Sequence, residues 1–475
     1  SSTGLGHLYR LFALVEMYKE NHQFIFVTRE SSVTNVIPND YPIKIIPNSI
    51  SLNEEPKWIF ENYNSSEYSL IADGYQFDES YQKRIRQLGF FLMYIDDLVT
   101  GYMHANIVIN HSLNIDKKEY SYNPETVFGL GSEYAILRPS FLKAAQQTRI
   151  IRSVSKIFIC FGGADAIDLS HKAALAALKT NKFEKIHILI GQAYKHEKIF
   201  ELEKEYVHIK IHKNLTETET FTLMLQCDFA IAPASTILYE LCAIKTIVLS
   251  GYFVENQKNI YRSLLNENAI YGAGNISNFT EKDFEKEINE VLNFNNHSKL
   301  LKNQQKLFDN QIKNRFLQIL EFKNISIRRA TNKDTKLVFD WSNDPLTRKN
   351  SFNSEAITYE NHIKWFSKKI IDKNTLVHIA EYLSLPVGVI KYKNSEGNLL
   401  IGITISKEFR GKKLAYFLLL KSIQNCFREF NSPITACIKK ENIPSIKIFE
   451  KIGFVLQNET KINDIESLIY KLEKL

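Results

Sequence analysis

Three segments of the sequence combine residue types that could do chemistry, and the first lies at its beginning. Gly4 and Gly6 directly precede a stretch with helical spacing, HLYRLFALVEMYKE. Glycine lets the backbone approach a ligand closely, and the amides at a helix start favour a bound anion or sugar. His7 stands at the mouth of this turn, where its imidazole could serve as a base near neutral pH. The structural alternative is a tight turn in which His7 only helps to begin the helix.

The second segment, DFAIAPASTILYELCAIKTIVLS, has the pattern of a strand, a small polar turn, a helix and a strand. Ser235 and Thr236 in the turn could cradle a diphosphate with the first amides of the helix, and Glu240 could accept hydrogen bonds from ribose hydroxyls. Gly162 and Gly163 follow another apolar strand pattern in FGGAD, where they would let the backbone close over a nucleotide. The alternatives are an ordinary helix cap with a first-turn carboxylate, and a plain glycine turn.

The third segment, KEFRGKKLAYFLLLKSIQNCF, is a basic turn that runs into an apolar helix. Two adjacent strand patterns, PVGVIKYK and NLLIGITIS, precede it. Backbone amides at a helix start, together with nearby Lys and Arg side chains, are features that bind a pyrophosphate. The alternative is a helix that merely begins with basic residues.

Alternating strand and helix patterns must position these segments. The first third of the chain alternates helical stretches with apolar runs such as FFLMYIDD, and a second series begins near Ile157. This rhythm is typical of parallel sheets, so we predict an α/β fold with doubly wound domains over residues 1–150 and 151–322. Such domains commonly face each other across a cleft that receives ligands at the carboxyl ends of the strands. We expect the first strand of the first domain to be missing, because no strand pattern precedes GLGHLYR.

A third domain is predicted over residues 323–475. Amphipathic helical patterns close the second domain, and a strand pattern restarts at NISIRRAT. Three folding units also suit a chain of 475 residues, since about 150 residues per domain is a reasonable prior.

The composition is that of a globular protein with small-molecule ligands. Hydrophobic residues make up 44% of the chain, and no apolar run approaches the ~20 residues needed to cross a bilayer. The five cysteines show no CxxC spacing, which argues against a zinc site or a disulfide framework and predicts a cytoplasmic location. The net charge of +7 suits anionic ligands, while its dispersed distribution argues against nucleic acid. We therefore predict neither nucleic acid nor a membrane as a partner.

The motifs of the first two domains, taken in order, resemble the UDP-2,4-diacetamido-2,4,6-trideoxy-β-L-altropyranose hydrolases of bacterial pseudaminic acid biosynthesis, which are relatives of the GT-B glycosyltransferases. These motifs are GLGHLYR, ADGY, YIDDL, YAILRPSF, FGGAD, ASTILYE and ENQ. The resemblance therefore implies a GT-B-like fold, with His7 and Tyr75 as catalytic residues. It implies UDP-sugar binding by Gly4, Gly6, Arg10, Gly162, Gly163, Ser235, Thr236, Glu240, Asn256 and Gln257.

The implied reaction is hydrolysis of the anomeric C–O bond, which releases UDP and a free diacetamido sugar. His7 would activate or position the water, and Tyr75 would hydrogen-bond in the sugar pocket. No metal would be needed, because UDP is already a good leaving group. Two positions depart from the family pattern, since Ala234 stands where glycine is common and Gly74 where histidine is usual.

The third domain resembles the GNAT N-acetyltransferases, an α+β family, through its basic turn and the later segment ENIPSIKIFEKIGF. The resemblance implies acetyl-CoA as a co-substrate. Lys413 stands where the family turn has its middle glycine, and Phe449 replaces a tyrosine that often protonates the departing thiolate. The implied acetyl-CoA contacts are Ile403, Ile405, Arg410, Gly411, Lys412, Lys413, Ala415, Asn442 and Ser445.

The acceptor side of this domain is indicated by a segment upstream, WSNDPLTRKNSFNSEAITYENHIKWFSKK. It is similar to the corresponding segment of the GNAT enzyme that acetylates the 4-amino sugar of the same pathway. This similarity implies that Arg348 and His362 lie near the acceptor. A structural role is the alternative for His362, and no residue is identified as the general base.

Together, these resemblances predict a bifunctional enzyme whose GNAT domain makes the acetylated UDP-sugar that the first two domains hydrolyse. Two alternatives belong to other classes of function. One is a GT-B glycosyltransferase that passes the sugar of a UDP-sugar to an acceptor. The other is a non-catalytic nucleotide-sugar-binding module fused to an acetyltransferase.

Overall fold

The chain divides into two compact units, Ser1–Leu317 and Gln318–Leu475. The computed structural model describes residues 6–32, 34, 37–294, 297–395 and 397–474, and it describes only the backbone of Asn256. Both units mix helices with strands. The boundary lies close to residue 323, where the third domain is predicted to begin, and the further division of the first unit at residue 150 stays a prediction. No helix in these ranges is long and apolar enough to cross a membrane.

The first half of the first unit is built on parallel strands. In chain order its elements are α1 (Gly6–Tyr18), β1 (Phe26–Arg29), β2 (Ile43–Ile46), α2 (Glu55–Asn62), β3 (Ser69–Asp73), α3 (Glu79–Gln87), β4 (Phe91–Ile95), β5 (Tyr102–Met103), β6 (Ile107–Asn110), β7 (Ser121–Tyr122), β8 (Val127–Leu130) and α4 (Pro139–Ala144). Strands β3, β4, β6 and β8 form a sheet in that order, while β1 pairs with β2 and β5 with β7. The apolar run of β6 is buried throughout, as expected for a parallel strand covered on both faces.

The second half of the first unit forms a six-stranded sheet in which every pair is parallel. Its elements are β9 (Lys156–Ile159), α5 (Leu169–Lys179), β10 (Lys185–Ile190), α6 (Lys198–Glu205), β11 (Ile209–Lys213), α7 (Glu217–Gln226), β12 (Phe229–Pro233), α8 (Thr236–Ala243), β13 (Ile247–Tyr252), α9 (Lys258–Asn266), β14 (Tyr271–Asn275), α10 (Glu281–Leu292), α11 (His297–Leu307) and α12 (Ile312–Leu320).

The strand order of this sheet is β11-β10-β9-β12-β13-β14, the order found in doubly wound sheets. The order reverses between β9 and β12, and ligands bind outside the carboxyl ends of strands at such a reversal. The GT-B-like arrangement of the two halves stays a prediction.

The second unit contains a seven-stranded sheet with the order β15-β16-β17-β18-β19-β21-β20. Its elements are β15 (Ile325–Arg329), α13 (Thr335–Asn343), α14 (Pro345–Asn350), α15 (Tyr359–Ile371), β16 (Thr375–Tyr382), β17 (Leu385–Ser395), β18 (Asn398–Ile405), α16 (Ala415–Glu429), β19 (Ile434–Lys439), α17 (Ile443–Ile452), β20 (Val455–Ile462) and β21 (Ile465–Leu472). Neighbouring strands are antiparallel except β18 and β19.

Strands β18 and β19 pair in parallel over only part of their length. Residues 399–401 pair with residues 434–436, and the two strands then separate, although β18 continues to Ile405 and β19 to Lys439. The helix α16 connects them, as a parallel crossover requires. The backbone along residues 402–405 therefore borders an opening in the sheet.

The two faces of this sheet have different partners because side chains alternate along a strand. Val377 and Val389 pack with Trp341 and Phe366 of α13 and α15. His378 and Tyr392 face the opposite side, where both side chains hydrogen-bond to Ser422 Oγ of α16, at 2.9 and 2.8 Å. These three polar side chains are buried, so the hydroxyl of Ser422 links the sheet to the helix in an otherwise apolar layer.

We expect His378 to make the stability of the second unit depend on pH. Burial lowers the pKa of His378 to about 4, whereas the unfolded residue has a pKa of about 6.5. The unfolded chain therefore binds the proton first, so this contribution is complete above pH 6.5 and is lost as the pH falls toward 4. Between pH 7 and 4, the wild type should lose about 3 kcal/mol more free energy of unfolding than His378→Gln.

Denaturant titrations followed by tryptophan fluorescence measure this difference. In a Trp58→Phe background the remaining tryptophans, Trp341 and Trp365, both lie in the second unit. Equal pH dependence in the wild type and in His378→Gln would show that another group carries the effect.

Candidate active sites

A cluster of charged side chains surrounds His7 at the carboxyl end of the four-stranded sheet. Asp73 ends β3, Asp97 lies two residues after β4, and both face the first turns of α1. The Nδ1 atom of His7 lies 2.6 Å from Oδ1 of Asp73. Arg10, one helical turn further along α1, donates Nε to Oδ2 of Asp73 at 2.9 Å. Its Nη1 donates to both oxygens of Asp97, at 2.7 and 2.8 Å. We call His7, Arg10, Asp73, Tyr75 and Asp97 the His7 cluster.

The electrostatics of the His7 cluster favour the charged forms of Arg10 and Asp97. The side chain of Asp73 is fully buried and that of Arg10 is almost so. Burial alone would lower the pKa of Arg10, but Asp73 and Asp97 outweigh it and raise that pKa. Burial likewise opposes ionisation of Asp97, but the charge of Arg10 lowers its pKa. Two carboxylates and one guanidinium leave one negative charge in excess.

Two charged neighbours bear on which nitrogen of His7 carries the proton. Nη2 of Arg10 lies 2.7 Å from Nδ1 of His7, so the guanidinium and the carboxylate of Asp73 compete for that nitrogen. Because the excess charge is negative, a proton on Nδ1 is favoured, directed at Oδ1 of Asp73. Nε2 of His7 then keeps its lone pair and can accept a proton.

Tyr75 borders both the imidazole of His7 and an open hollow. The two rings are perpendicular, with their centroids 4.9 Å apart. Burial, and then the charge of Asp97, raise the pKa of Tyr75, so its hydroxyl remains protonated near neutral pH. The hollow has a volume of about 480 Å³. It is lined by Tyr75, Phe77, Asp78, Glu79, Ser80, Gln82, Lys83, Tyr94, Leu98, Thr100 and Gly101. The structure thus brings the two predicted catalytic residues together beside a cavity of ligand size.

The two predicted phosphate loops lie side by side at the reversal of the six-stranded sheet. Gly162 and Gly163 follow β9, and Ser235 and Thr236 follow β12, its neighbour in the sheet. Gly162 has a φ of +91°, a conformation that favours glycine. Ser235 occupies the N-cap position of α8, but its side chain makes no capping hydrogen bond. The loops therefore lie where the order of the strands reverses, and their role in binding a nucleotide stays a prediction.

Two side chains predicted to contact the UDP-sugar have partners within the protein. Glu240 is buried, and its two oxygens accept hydrogen bonds from Nε and Nη2 of Arg138 at 2.6 and 2.7 Å. Arg10 is held by Asp73 and Asp97, as described above. Glu240 and Arg10 thus each belong to a buried ion pair, because a charged group needs compensation where it lies. Their contacts with the UDP-sugar stay predictions.

Of the other predicted UDP-sugar contacts, the structure describes two and leaves two outside the described residues. Gly6 is the first residue of α1 and is exposed. Gln257 is buried, and its Oε1 accepts a hydrogen bond from the amide of Phe253 at 3.0 Å. Gly4 and the side chain of Asn256 lie outside the described residues.

His111 contacts helix α8 and lies within the electrostatic influence of the His7 cluster, a position that the sequence did not predict. It follows β6 directly, it is buried, and its ring contacts that of Tyr239 edge-on at 5.3 Å. Burial lowers the pKa of His111 to about 4, and the charges of Asp97, Arg10 and Asp73 also act on it. The sequence did contain a signal for this grouping, since polar residues follow the strand patterns SLIA, FLMYI and IVIN. The carboxyl ends of adjacent parallel strands share one sheet edge, so residues in these positions lie close together.

In the second unit, the basic turn lies between the opening in the sheet and helix α16. Gly411 and Lys413 have φ values of +77° and +59°, so Lys413 adopts the left-handed conformation that glycine tolerates best. Ala415 is the first residue of α16. Arg410 donates Nε to the carbonyl of Ile405 at 3.0 Å. Its Nη2 pairs with Asp344 at 2.7 Å, so Arg410 braces the turn from within the unit.

This part of the chain matches a known family. Residues 324–455 match the family model described as "Acetyltransferase (GNAT) domain". The second unit contains a GNAT acetyltransferase domain. This match supports the prediction of acetyl-CoA as the co-substrate of the domain. Within the ranges that the structure describes, no group of three or more His, Cys, Asp or Glu residues could hold a metal ion.

The chain is similar to one protein over nearly its whole length and to two solved structures over about a third of it. It is 25% identical to the "Uncharacterized protein MJ1062" of Methanocaldococcus jannaschii, over 97% of this chain and 96% of that protein. A spermidine N-acetyltransferase from Vibrio cholerae, solved with CoA and spermine, is 16% identical with a TM-score of 0.30 over 32% of this chain and 95% of that chain. The yncA protein from Salmonella typhimurium, solved with its cofactor acetyl-CoA, is 17% identical with a TM-score of 0.28 over 31% of this chain and 93% of that chain.

The remaining predicted residues of the GNAT domain lie on β18 and near α17. Ile403 and Ile405 lie on β18 past its last pair with β19, at the opening in the sheet. Asn442 is the N-cap residue of α17, and its side chain accepts a hydrogen bond from the amide of Ser445 at 3.4 Å. Phe449 is buried and packs edge-on against Phe454, with centroids 4.9 Å apart.

His362 lies in the core of the GNAT domain. Only 1% of it is exposed, its Nε2 donates to the carbonyl of Thr335 at 3.1 Å, and its ring stacks on Phe366. The expectation that His362 touches the acceptor therefore gives way to the structural alternative, since its ring is enclosed by packing. Arg348 is partly buried, and its Nη1 donates to the carbonyls of Asn353 and Glu355, both at 3.2 Å.

We expect glycine to be favoured over alanine at position 413. A left-handed backbone costs a residue with a side chain about 1 kcal/mol, so Lys413→Gly should be about 1 kcal/mol more stable than Lys413→Ala. Both variants remove the same charge. Lys412 has no positive φ and supplies the matched pair, in which Lys412→Gly should be the less stable variant.

Unfolding of the four variants is measured by tryptophan fluorescence in the Trp58→Phe background. The same order of stability at both positions would contradict the conformational assignment of Lys413.

Proposed function

We propose that the chain is a bifunctional enzyme of pseudaminic acid biosynthesis. Its first unit hydrolyses UDP-2,4-diacetamido-2,4,6-trideoxy-β-L-altropyranose to UDP and the free sugar. Its GNAT domain transfers the acetyl group of acetyl-CoA to the amine of the UDP-4-amino-sugar precursor. The main support for the hydrolase is the contact between His7 and Asp73, at 2.6 Å, beside Tyr75 and its hollow.

The proposed hydrolysis uses Nε2 of His7 as the base. Asp73 holds the proton of Nδ1, so the lone pair of Nε2 accepts a proton from water as the water oxygen bonds to the anomeric carbon. The bond between that carbon and the diphosphate oxygen breaks, and UDP leaves with the bonding electrons. The imidazolium then returns its proton to solvent. The negative charge of Asp73 stabilises the imidazolium while it exists.

The leaving UDP is assigned to the loops at the reversal of the six-stranded sheet. The amides at the start of α8, next to Ser235 and Thr236, offer partial positive charge to a diphosphate. Gly162 and Gly163 leave room for the nucleotide to approach the backbone. The buried pair of Arg138 and Glu240 fastens α8 to the segment before α4, which keeps this helix start in place.

The proposed acetyl transfer takes place at the opening between β18 and β19. The pyrophosphate of acetyl-CoA would lie on the amides of the turn before α16, with Lys412 and Lys413 nearby. The acceptor amine attacks the thioester carbonyl, a C–N bond forms, the C–S bond breaks, and the thiolate takes up a proton while the nitrogen loses one. Phe449 cannot supply this proton, because it lacks a hydroxyl group and is buried.

The first test concerns His7. Asparagine cannot act as a base, so His7→Asn should lower the rate of UDP release about 10²–10⁴-fold. Asp73→Asn should also lower this rate, because it removes the charge that orients and stabilises the imidazole. UDP binding, measured by equilibrium dialysis, should persist in both variants.

An exposed histidine of the same unit provides the control, and His22→Asn should hydrolyse at the wild-type rate. A near-normal rate in His7→Asn would remove His7 from the mechanism. UDP release that begins only when a sugar acceptor is added would instead identify a glycosyltransferase.

The second test joins the two reactions. Wild-type protein, incubated with the UDP-4-amino sugar and acetyl-CoA, should yield CoA, UDP and free diacetamido sugar. The His7→Asn variant should stop after the first step and accumulate acetylated UDP-sugar in an amount equal to the CoA released. Mass spectrometry and NMR identify the products. Absence of any acetylated sugar would contradict the proposed acceptor.

A further inference from the structure

Lys391 lies on the face of the GNAT sheet that carries α13 and α15. It belongs to β17 and pairs across the sheet with Val377 on one side and Gly402 on the other. Its Nζ lies over the ring of Trp365, 4.8 Å from the centroid. The ammonium group therefore lies beside Trp365, which belongs to the segment that is predicted from the sequence to form the acceptor side of the domain.

An open space adjoins Lys391 on this face. Directly opposite residues of an antiparallel pair share one face, and the partner of Lys391 is Gly402, which has no side chain. A Cβ atom at Gly402 would meet no other atom within 4 Å. Gly402 is also the first residue of β18 beyond its last pair with β19. The space beside Lys391 therefore lies next to the opening that acetyl-CoA is proposed to occupy.

Arg348 adds a second positive charge, which acts electrostatically on Lys391. Its Nη1 and Nη2 donate to the carbonyls of Asn353 and Glu355 and to the hydroxyl of Ser351, all of them uncharged partners. The Nε atom of Arg348 is buried without a hydrogen-bond partner. Burial, followed by the charge of Arg348, lowers the pKa of Lys391 to about 8.

Neither cation has a carboxylate partner among the residues that the structure describes. Two other partly buried cations of this domain do, since Arg328 pairs with Asp334 and Arg410 with Asp344. Two neighbouring positive charges in a partly buried position are costly unless an anion joins them. The missing negative charge therefore points to a ligand.

We propose that Lys391 and Arg348 form an anion-binding subsite for the acetyl acceptor, and that this acceptor carries a phosphate-type dianion. The inference rests on the proposed acetyl transfer and assigns recognition of the acceptor's diphosphate to these two side chains. A double negative charge matches the two cations better than a single carboxylate does. A polycationic amine would be repelled by them.

Binding at this subsite can be followed through Trp365. In the double variant Trp58→Phe, Trp341→Phe, this residue is the remaining tryptophan of the full-length chain. UDP is the probe, and it is titrated in the presence of saturating CoA, which occupies the coenzyme site and prevents UDP from binding there. UDP should change the fluorescence of Trp365 to saturation. Uridine and spermidine, which lack a phosphate group, should leave it unchanged.

Substitutions at Lys391 then test its part in binding. Lys391→Met should weaken UDP binding about tenfold or more, because a charge-assisted contact is lost. Lys391→Arg should stay within about threefold of the wild type, since the charge is kept. The matched control is Lys393→Met, which removes the same charge from the next exposed position on the same face of β17 and should bind UDP normally.

The outcomes separate this inference from the proposed function. Unchanged UDP affinity in Lys391→Met, or saturable binding of spermidine in place of UDP, would overturn the inference. If Lys391→Met acetylates the UDP-4-amino sugar with an unchanged KM, the inference also fails while the proposed function stands. If UDP binds through Lys391 but the UDP-4-amino sugar is not acetylated, the subsite stands and the proposed acceptor is wrong.

Discussion

Arg10 holds together two carboxylates that would otherwise repel each other at the carboxyl ends of adjacent strands. Asp73 is fully buried, and a buried carboxylate is costly unless it is paired. The guanidinium donates hydrogen bonds to both carboxylates. Oδ1 of Asp73 contacts both Arg10 and His7. The orientation of the imidazole therefore depends on a residue one turn along its own helix.

Both units place their candidate sites where parallel strands leave a space. In the first unit, β9 and β12 are neighbours in the sheet, and the connections that leave their carboxyl ends run in opposite directions along it. No connecting segment therefore fills the crevice between the ends of these two strands. In the GNAT domain, β18 and β19 themselves separate after three pairs of residues. A helix begins immediately beyond each space, and its first amides have no partner within the helix. The proposed phosphate sites of both units thus follow from one feature of parallel topology.

Packing decides which cations remain available to a ligand. Arg10 and Arg410 both belong to motifs that suggest phosphate binding, yet each is neutralised by an aspartate of the same unit. Lys391 belongs to no recognised motif, but within the described ranges it has no carboxylate partner. The charge that a site offers to its ligand is therefore the charge left over after internal ion pairs have formed.

The sequence by itself determined the local features of both units. The alternation of apolar runs and helical patterns predicted parallel strands around β4, β9 and β12. The glycine and basic residues of KEFRGKK predicted the turn before α16. These features depend on neighbours a few positions apart, so spacing is enough to predict them. The family pattern has glycine at position 413, and the structure shows the left-handed backbone at Lys413 that glycine tolerates best.

Only the tertiary structure decided the partners of the charged and polar side chains. Glu240 was predicted from its motif to contact a ribose, and the structure pairs it with Arg138, about a hundred positions earlier in the chain. His362 was placed near the acceptor because of its segment, but its ring is buried against Thr335 and Phe339 of α13. Such pairings arise between elements that are distant in sequence, and burial then sets the cost of leaving a charge or a polar atom unpaired. Local spacing contains no information about either.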